Sequence, residues 1–380
     1  MGLRLAAPGV LVVAAALAAA APLAAQSTER YVAFGDSLTH GVGDETGQGG
    51  YPPRLQSLLT SATVTVTVEN RGVDGETTVQ GLSRLGTISG AAGDTLLLME
   101  GTNDAFADIS PETIASNLLA MVRKGRQQGF GKVLLSTVPP IGRTSTGTRT
   151  NLSIALSDAI RQAAYDSQVP QPDPHLGLFE LTNLFATYYS GDGIHPNAAG
   201  YAELARIFAD YIEGDDQLPP APSFVSPANE SVNVAVNALL EVIVFDPLSG
   251  VDQATATLTI NGIAVATTVA GDARRTVLQA RPGNLAGRPL LGVDVRDLAV
   301  PSNRLIQDVS RFTVRGATFL RGDIDQSGRV DGADLVVLAA AFGTKAGDSR
   351  YRAIADLDGN GRVDGTDLAI LAANFGLSSF

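Results

Sequence analysis

Four short blocks of chemistry-bearing residues fall in one order over the first two thirds of the chain. They are Gly35-Asp36-Ser37-Leu38, Gly72-Val73-Asp74-Gly75-Glu76-Thr77, Gly101-Thr102-Asn103-Asp104 and Asp192-Gly193-Ile194-His195. A serine hydroxyl is a poor nucleophile until an adjacent base takes its proton. Imidazole titrates near neutrality, so His195 suits that task for Ser37. A carboxylate on the second ring nitrogen fixes the tautomer and stabilises the imidazolium. Asp192 stands three residues before His195, so both fit on one turn just ahead of a helix. Attack on an ester carbonyl builds an oxyanion, which must be met by hydrogen-bond donors.

The elements that must position these groups alternate strand and helix signals. Tyr31-Val32-Ala33-Phe34 leads into the first block, β-branched Val64-Thr65-Val66-Thr67-Val68 precedes the second, and Leu96-Leu97-Leu98-Met99 leads into the third. Val133-Leu134-Leu135-Ser136 reads as another buried strand. Between the last two, Ser110 as N-cap, Pro111 at the first helical position and Ile114, Leu118 and Met121 at helical spacing predict a helix. After His195, Pro196 is expected to open a helix carrying Tyr201, Leu204, Ile207, Phe208 and Tyr211. Such alternation predicts a parallel sheet covered on both faces, with the site at the carboxyl ends of its strands.

The four blocks together resemble the SGNH, or GDSL-type, hydrolase family, over about residues 28–214. The resemblance implies an α/β, flavodoxin-like three-layer sandwich. It implies that Ser37 is the nucleophile, that Gly75 lends a backbone N–H, that Asn103 lends its side-chain amide, and that Asp192 and His195 complete the triad. The Ser37 N–H joins Gly75 and Asn103 as a candidate oxyanion donor. No metal is needed for this chemistry.

The chain has 380 residues, and two or three domains are expected. Its formal net charge of −12 argues against nucleic-acid binding, which needs a basic patch, and against attraction to anionic membranes. Residues 1–25 read as a secretory signal: Arg4 gives the basic start, Val10 to Ala21 the apolar stretch, and Leu23-Ala24-Ala25 the small residues for cleavage. The alternative is an anchor that stays attached, although Pro8 and Pro22 break the short apolar run. A secreted protein is expected, yet the sequence has no cysteine to staple it.

Residues 215–222, rich in acid and proline, read as a linker. Residues 223–316 read as an all-β, immunoglobulin-like sandwich, either a spacer or a glycan-binding module. Its strongest signal is a hairpin in which Asn261-Gly262 joins Thr257–Ile260 to Ile263–Ala266. Leu239–Phe245, Leu291–Val295 and Phe312–Val314 are its further expected strands.

Residues 317–380 contain an internal repeat with an offset of 356 − 323 = 33 residues. In each copy oxygen side chains stand at loop positions 1, 3, 5, 9 and 12, which is calcium-loop spacing. The candidate ligands are Asp323, Asp325, Ser327, Asp331 and Asp334, then Asp356, Asp358, Asn360, Asp364 and Asp367, with Arg329 and Arg362 offering backbone carbonyls. An apolar helix follows each loop, Leu335–Phe342 and Leu368–Phe375. The pair resembles the dockerin module, a small α-helical unit, in which Asp at position 12 is usual. It implies structural calcium and a cohesin-like partner. Gly332-Ala333 and Gly365-Thr366 stand where Ser/Thr is frequent in that family.

Other polar residues are expected near the site. His40 either lines the cleft or ends a helix beside it, His175 reads as a surface or loop residue, and Asp36 orients backbone at the nucleophile turn. Asp104 secures its loop, and Arg143–Thr150 is either a pocket rim or an exposed connector. The reading is a secreted serine esterase acting on small-molecule or polysaccharide esters. A carbohydrate O-acetyl esterase is one alternative, and a non-catalytic calcium-dependent adhesion or scaffold protein is another.

Overall fold

The computed structural model describes residues 27–142, 149–179, 181, 184–283, 285–314, 320–325, 327, 329–346, 348 and 350–378. The expected signal at 1–25 lies outside the described residues, as do positions 143–148 of the expected polar loop.

The first unit runs β1 (Ser27–Gly35), α1 (Ser37–His40), α2 (Tyr51–Leu59), β2 (Val64–Gly72), α3 (Thr78–Leu85), β3 (Thr95–Met99), α4 (Thr102–Phe106), α5 (Pro111–Gln127), β4 (Lys132–Leu135), α6 (Arg149–Asp166), α7 (Pro174–Phe179), α8 (Leu184–Thr187) and α9 (Ala198–Glu213). Its four strands are parallel in the order β2-β1-β3-β4. Alternate side chains of a strand face opposite sides. Val32 and Phe34 join Leu85, Leu118, Met121 and Ile160 in one core, whereas Tyr31 and Ala33 join Tyr51, Leu55, Tyr201 and Phe208 in the other. Helices α3, α5 and α6 therefore cover one face and α2 and α9 the other, giving three layers.

Register explains why distant blocks meet. Gly35 pairs with Gly72 of β2 and with Met99 of β3, so the three strands end level. The chain leaves β1 for a neighbour on one side and then returns for one on the other. The crevice at such a reversal is where open parallel sheets place their sites. The Ser110 cap is present, its side chain accepting from the Thr113 N–H at 3.3 Å. Pro196 differs from expectation: Asn197 is the N-cap of α9, accepting from the Gly200 N–H at 3.0 Å, and Pro196 stands just outside the helix.

The second unit has two antiparallel four-stranded sheets. They are β5 (Ala221–Ser226), β6 (Leu240–Phe245), β10 (Arg275–Ala280) and β9 (Thr268–Asp272), and β12 (Arg304–Arg311), β11 (Leu290–Asp297), β7 (Val251–Ile260) and β8 (Ile263–Ala264). Both sheets feed one apolar core that includes Val242, Leu278, Leu258 and Val293. The expected hairpin is present, with Ile260 opposite Ile263 and both turn residues at positive φ. The expected strand at Phe312–Val314 is not. Both residues are buried, but β12 ends at Arg311 and Val314 makes only an isolated bridge to Val234.

A polar seam joins the two units. Arg161 on α6 is buried and donates to Asp158, to Asp173 and, at 3.2 Å, to the Ser223 hydroxyl of β5. That hydroxyl donates to Asp158 at 2.7 Å. Farther along, the Asn303 amide donates to the backbone oxygens of Asp216 and Leu218.

The last unit holds α10 (Gly332–Ala341) and α11 (Gly365–Asn374), linked by the short pair β13 (Thr344–Lys345) and β14 (Arg362–Val363). Its core is small: Ile324, Val330, Leu338, Ala341, Ala355, Val363 and Leu371. No helix among the described residues is long and apolar enough to cross a membrane.

Candidate active site

Ser37 opens α1, whose N-cap is Asp36. The Asp36 carboxylate accepts from the Leu38 N–H at 2.9 Å, which fixes the turn that presents Ser37. The Ser37 Oγ lies 2.9 Å from His195 Nε2, and His195 Nδ1 lies 2.6 Å from Asp192 Oδ2. The other Asp192 oxygen accepts from the N–H groups of Ile194 and His195 and from the Ser190 hydroxyl. Burial works against the Asp192 charge. The hydrogen bonds from the His195 ring, the two N–H groups and Ser190 outweigh it and hold the carboxyl well below the usual range. This turn is fastened from behind by the Gly142 N–H to the Gly193 oxygen at 2.7 Å and by the Tyr189 hydroxyl to the Pro140 oxygen at 2.5 Å.

Three donors are candidates to serve Ser37. Its own N–H and that of Gly75 have no intramolecular acceptor among the described residues. The Asn103 amide donates to the Glu76 backbone oxygen at 2.8 Å and approaches Asp36 at 3.5 Å. A carboxamide carries two N–H bonds; here one is held firmly by Glu76 and the other faces Asp36 at the longer distance. Glycine at 75 has a conformational reason: φ of +72° is a left-handed value that other residues avoid.

The two acidic loops also close up. Asp323, Asp325 and Asp334 bring carboxylate oxygens within 4.8 Å of one another, as do Asp356, Asp358 and Asp367. Asp334 and Asp367 each accept backbone N–H groups of their own loop, at 2.5 and 2.9 Å for Asp334 from Ile324 and Asp325. Asp331 and Asp364 stand apart as the N-caps of α10 and α11. Ser327 and Asn360 sit at their loop positions on the exposed side, bonded within the loops. Arg362 lies in β14, and Arg329 bridges Ser378. Such oxygen-only sets suit a hard cation.

Residues 33–203 match the GDSL-like Lipase/Acylhydrolase family and residues 321–376 match the Dockerin type I domain. The chain carries a GDSL-like hydrolase domain and a dockerin type I domain. The first is 33% identical over 119 residues to an arylesterase of Vibrio mimicus, covering 31% of this chain and 59% of that protein. It is 29% identical over 116 residues to esterase TesA of Pseudomonas aeruginosa, covering 30% and 57%. The chain thus spans somewhat over half the length of these relatives. A lipase/acylhydrolase structure from Enterococcus faecalis aligns at 24% identity and a TM-score of 0.42, over 49% of this chain and 96% of that one.

Other residues of the GDSL domain have settled roles. Asp104 accepts from the Thr78 N–H and hydroxyl at 2.8 and 2.6 Å, tying its loop to the start of α3. His40 ends α1 and pairs with Asp74 at 2.7 Å, both about half exposed, at the rim between the first and second blocks. His175 is not on the surface. It is 6% exposed on α7, and burial first, then the nearby Arg161 charge, push its pKa down to about 3 against the pull of Asp173. Two groups carried no sequence signal. One is the buried acid set of Asp36, Glu76 and Glu100 under the site. The other is Asp216, Asp246 and Asp297, which meet within 4.8 Å where the linker touches the β unit.

Proposed function

We propose that the chain is a secreted serine esterase that cleaves acyl esters with Ser37, His195 and Asp192. The observation that carries this reading is the continuous relay from Ser37 Oγ to His195 at 2.9 Å and on to Asp192 at 2.6 Å. His195 Nε2 takes the hydroxyl proton as Ser37 Oγ attacks the carbonyl carbon. Asp192 holds the ring and stabilises its charge. The Ser37 and Gly75 N–H groups and the Asn103 N–H that faces Asp36 at 3.5 Å receive the oxyanion. His195 then gives its proton to the leaving alkoxide. Water, deprotonated by His195, attacks the acyl-serine, and the acid is released as the Ser37 oxygen takes that proton back from His195.

A carbohydrate-borne acetyl ester is the second reading of the substrate, favoured by the dockerin type I domain on the same chain. In that domain Asp323, Asp325 and Asp334, and Asp356, Asp358 and Asp367, would hold structural calcium, with Ser327, Arg329, Asp331, Asn360, Arg362 and Asp364 as the remaining loop positions. When bound, the cation neutralises carboxylates that otherwise repel. A cohesin-like protein is the partner proposed for α10 and α11. The boundaries proposed are 28–214 for the hydrolase, 223–316 for an immunoglobulin-like spacer and 317–380 for the dockerin.

Turnover of nitrophenyl acetate, a long-chain nitrophenyl ester and acetylated xylan tests the reading. Hydrolysis of the acetyl esters with little of the long-chain ester supports the carbohydrate reading. No turnover of any of the three leaves the adhesion or scaffold alternative.

A further inference from the structure

Glu100 follows β3 directly beneath the third block and is fully buried. Neither of its carboxyl oxygens meets an N–H or O–H donor. The backbone of α3 presses on it, since a Cβ at Gly81 would fall 2.4 Å from Oε2. The charged groups that face it are Asp36 from the N-cap of α1, Glu76 from the loop before α3, and Arg84 from α3 itself. Arg84 is already committed. Its Nε donates to Glu76 at 2.7 Å, a second nitrogen donates to the other Glu76 oxygen, and its guanidinium lies over the Phe34 ring at 3.8 Å. Three buried carboxyls thus crowd together with one partly buried guanidinium that is hydrogen-bonded only to Glu76 among them, and they cannot all be ionised. Burial pushes the Asp36 pKa up to about 7, but Glu100 is the one with no donor, so it keeps its proton most firmly. Burial and the neighbouring acids together raise its pKa far above the carboxylate range.

Glu76 links this buried set to the site. Its carboxylate is gripped from below, while its backbone oxygen accepts the Asn103 amide at 2.8 Å and its peptide adjoins Gly75. We propose that Glu100 is a positioning residue: as the neutral acid it donates a hydrogen bond to the Glu76 carboxylate and, with Arg84, locks the segment that aims the Gly75 and Asn103 donors. Loss of its proton turns that bond into repulsion and loosens the oxyanion site. The inference rests on the esterase reading for its kinetic consequence, though not for the buried proton itself.

The test compares the full chain with Glu100→Gln and Glu100→Ala, following nitrophenyl acetate turnover and thermal unfolding from about pH 6 to pH 10. Gln keeps a donor but cannot ionise. The native chain should lose kcat at alkaline pH, whereas Glu100→Gln should hold neutral-pH kcat within about three-fold and lack that decline. Glu100→Ala should lower kcat about ten-fold or more with KM little changed, part of the cost of an absent oxyanion donor. A native protein inert toward the ester overturns the esterase reading. Thermal unfolding still reads the proton, because the melting temperature of the native chain should fall relative to Glu100→Gln as pH rises. A melting difference independent of pH, an alkaline decline unchanged in Glu100→Gln, or native kcat in Glu100→Ala overturns the positioning role. If Glu100→Ala does not fold, the Gln comparison decides.

Discussion

The side-chain amide of Asn103 donates to the backbone oxygen of Glu76 at 2.8 Å, so the second and third blocks are one mechanical unit. Gly75, the residue before Glu76, needs its left-handed conformation to take part. In the proposed mechanism two donors contributed by separate loops would be aimed together rather than independently, and preorganisation of this kind costs nothing at the moment of reaction.

Ser37→Ala should abolish ester hydrolysis and leave the fold intact. The hydroxyl lies 2.9 Å from His195 and caps nothing, and the Asp36 side chain holds the turn without it. Circular dichroism and activity on one preparation check this. More than a few per cent residual activity from a clean sample would sink the nucleophile assignment.

Asn103→Ala should lower kcat by about 100-fold or more, with a smaller change in KM. In the proposed mechanism the amide N–H that faces Asp36 acts mainly on the charged intermediate. A change confined to KM would mean that Asn103 only positions substrate.

His175→Gln should make stability less sensitive to acid. His175 titrates near 6.5 when unfolded but at about 3 when folded, because burial disfavours its charge. The contribution is present above the unfolded value and is lost as pH falls from about 6.5 toward 3. Between pH 7.5 and pH 5 the native chain should lose on the order of 2 kcal/mol through this group, a loss that the glutamine variant lacks. Urea midpoints at the two pH values measure the difference, and a gap that does not change with pH would refute it.

Chelation should render the chain beyond about residue 317 protease-sensitive while ester hydrolysis continues. The small apolar core of the dockerin domain has little to set against two clusters of converging carboxylates. Limited proteolysis and activity, with and without chelator, decide it. Loss of activity, or a tail equally resistant in both conditions, would contradict the separation of chemistry from metal.

The blocks were legible because each sits where a strand ends or a helix begins, and a parallel register then brings the ends level. The four strands, the Ser110 helix and the Asn261-Gly262 hairpin were legible for the same local reasons. Helix α6 was not. It follows a Ser/Thr/Gly-rich run, and small residues such as Ser153, Ala155 and Ser157 blur its apolar face. His175 misled because flanking prolines suggest a loop, whereas its surroundings come from Asp173 and from Arg161 on a different helix. Glu100 gave no signal, since a carboxyl one residue before a glycine looks exposed until β3 and α3 close over it. The apolar Phe312–Val314 run was misread because burial does not require ladder pairing.

The seam at Ser223 bears on how such a chain is assembled over evolutionary time. Domains strung on a free linker can be shuffled by recombination without consequence. Here the Ser223 hydroxyl, in the first strand of the β unit, completes the buried set of Asp158 and Arg161 in the hydrolase. An exchange that replaced the β unit without an equivalent hydroxyl would remove one hydrogen bond from each of Arg161 and Asp158 while leaving their mutual pair and the Asp173 contacts in place. Position 223 is therefore where a replacement unit would have to match the hydrolase.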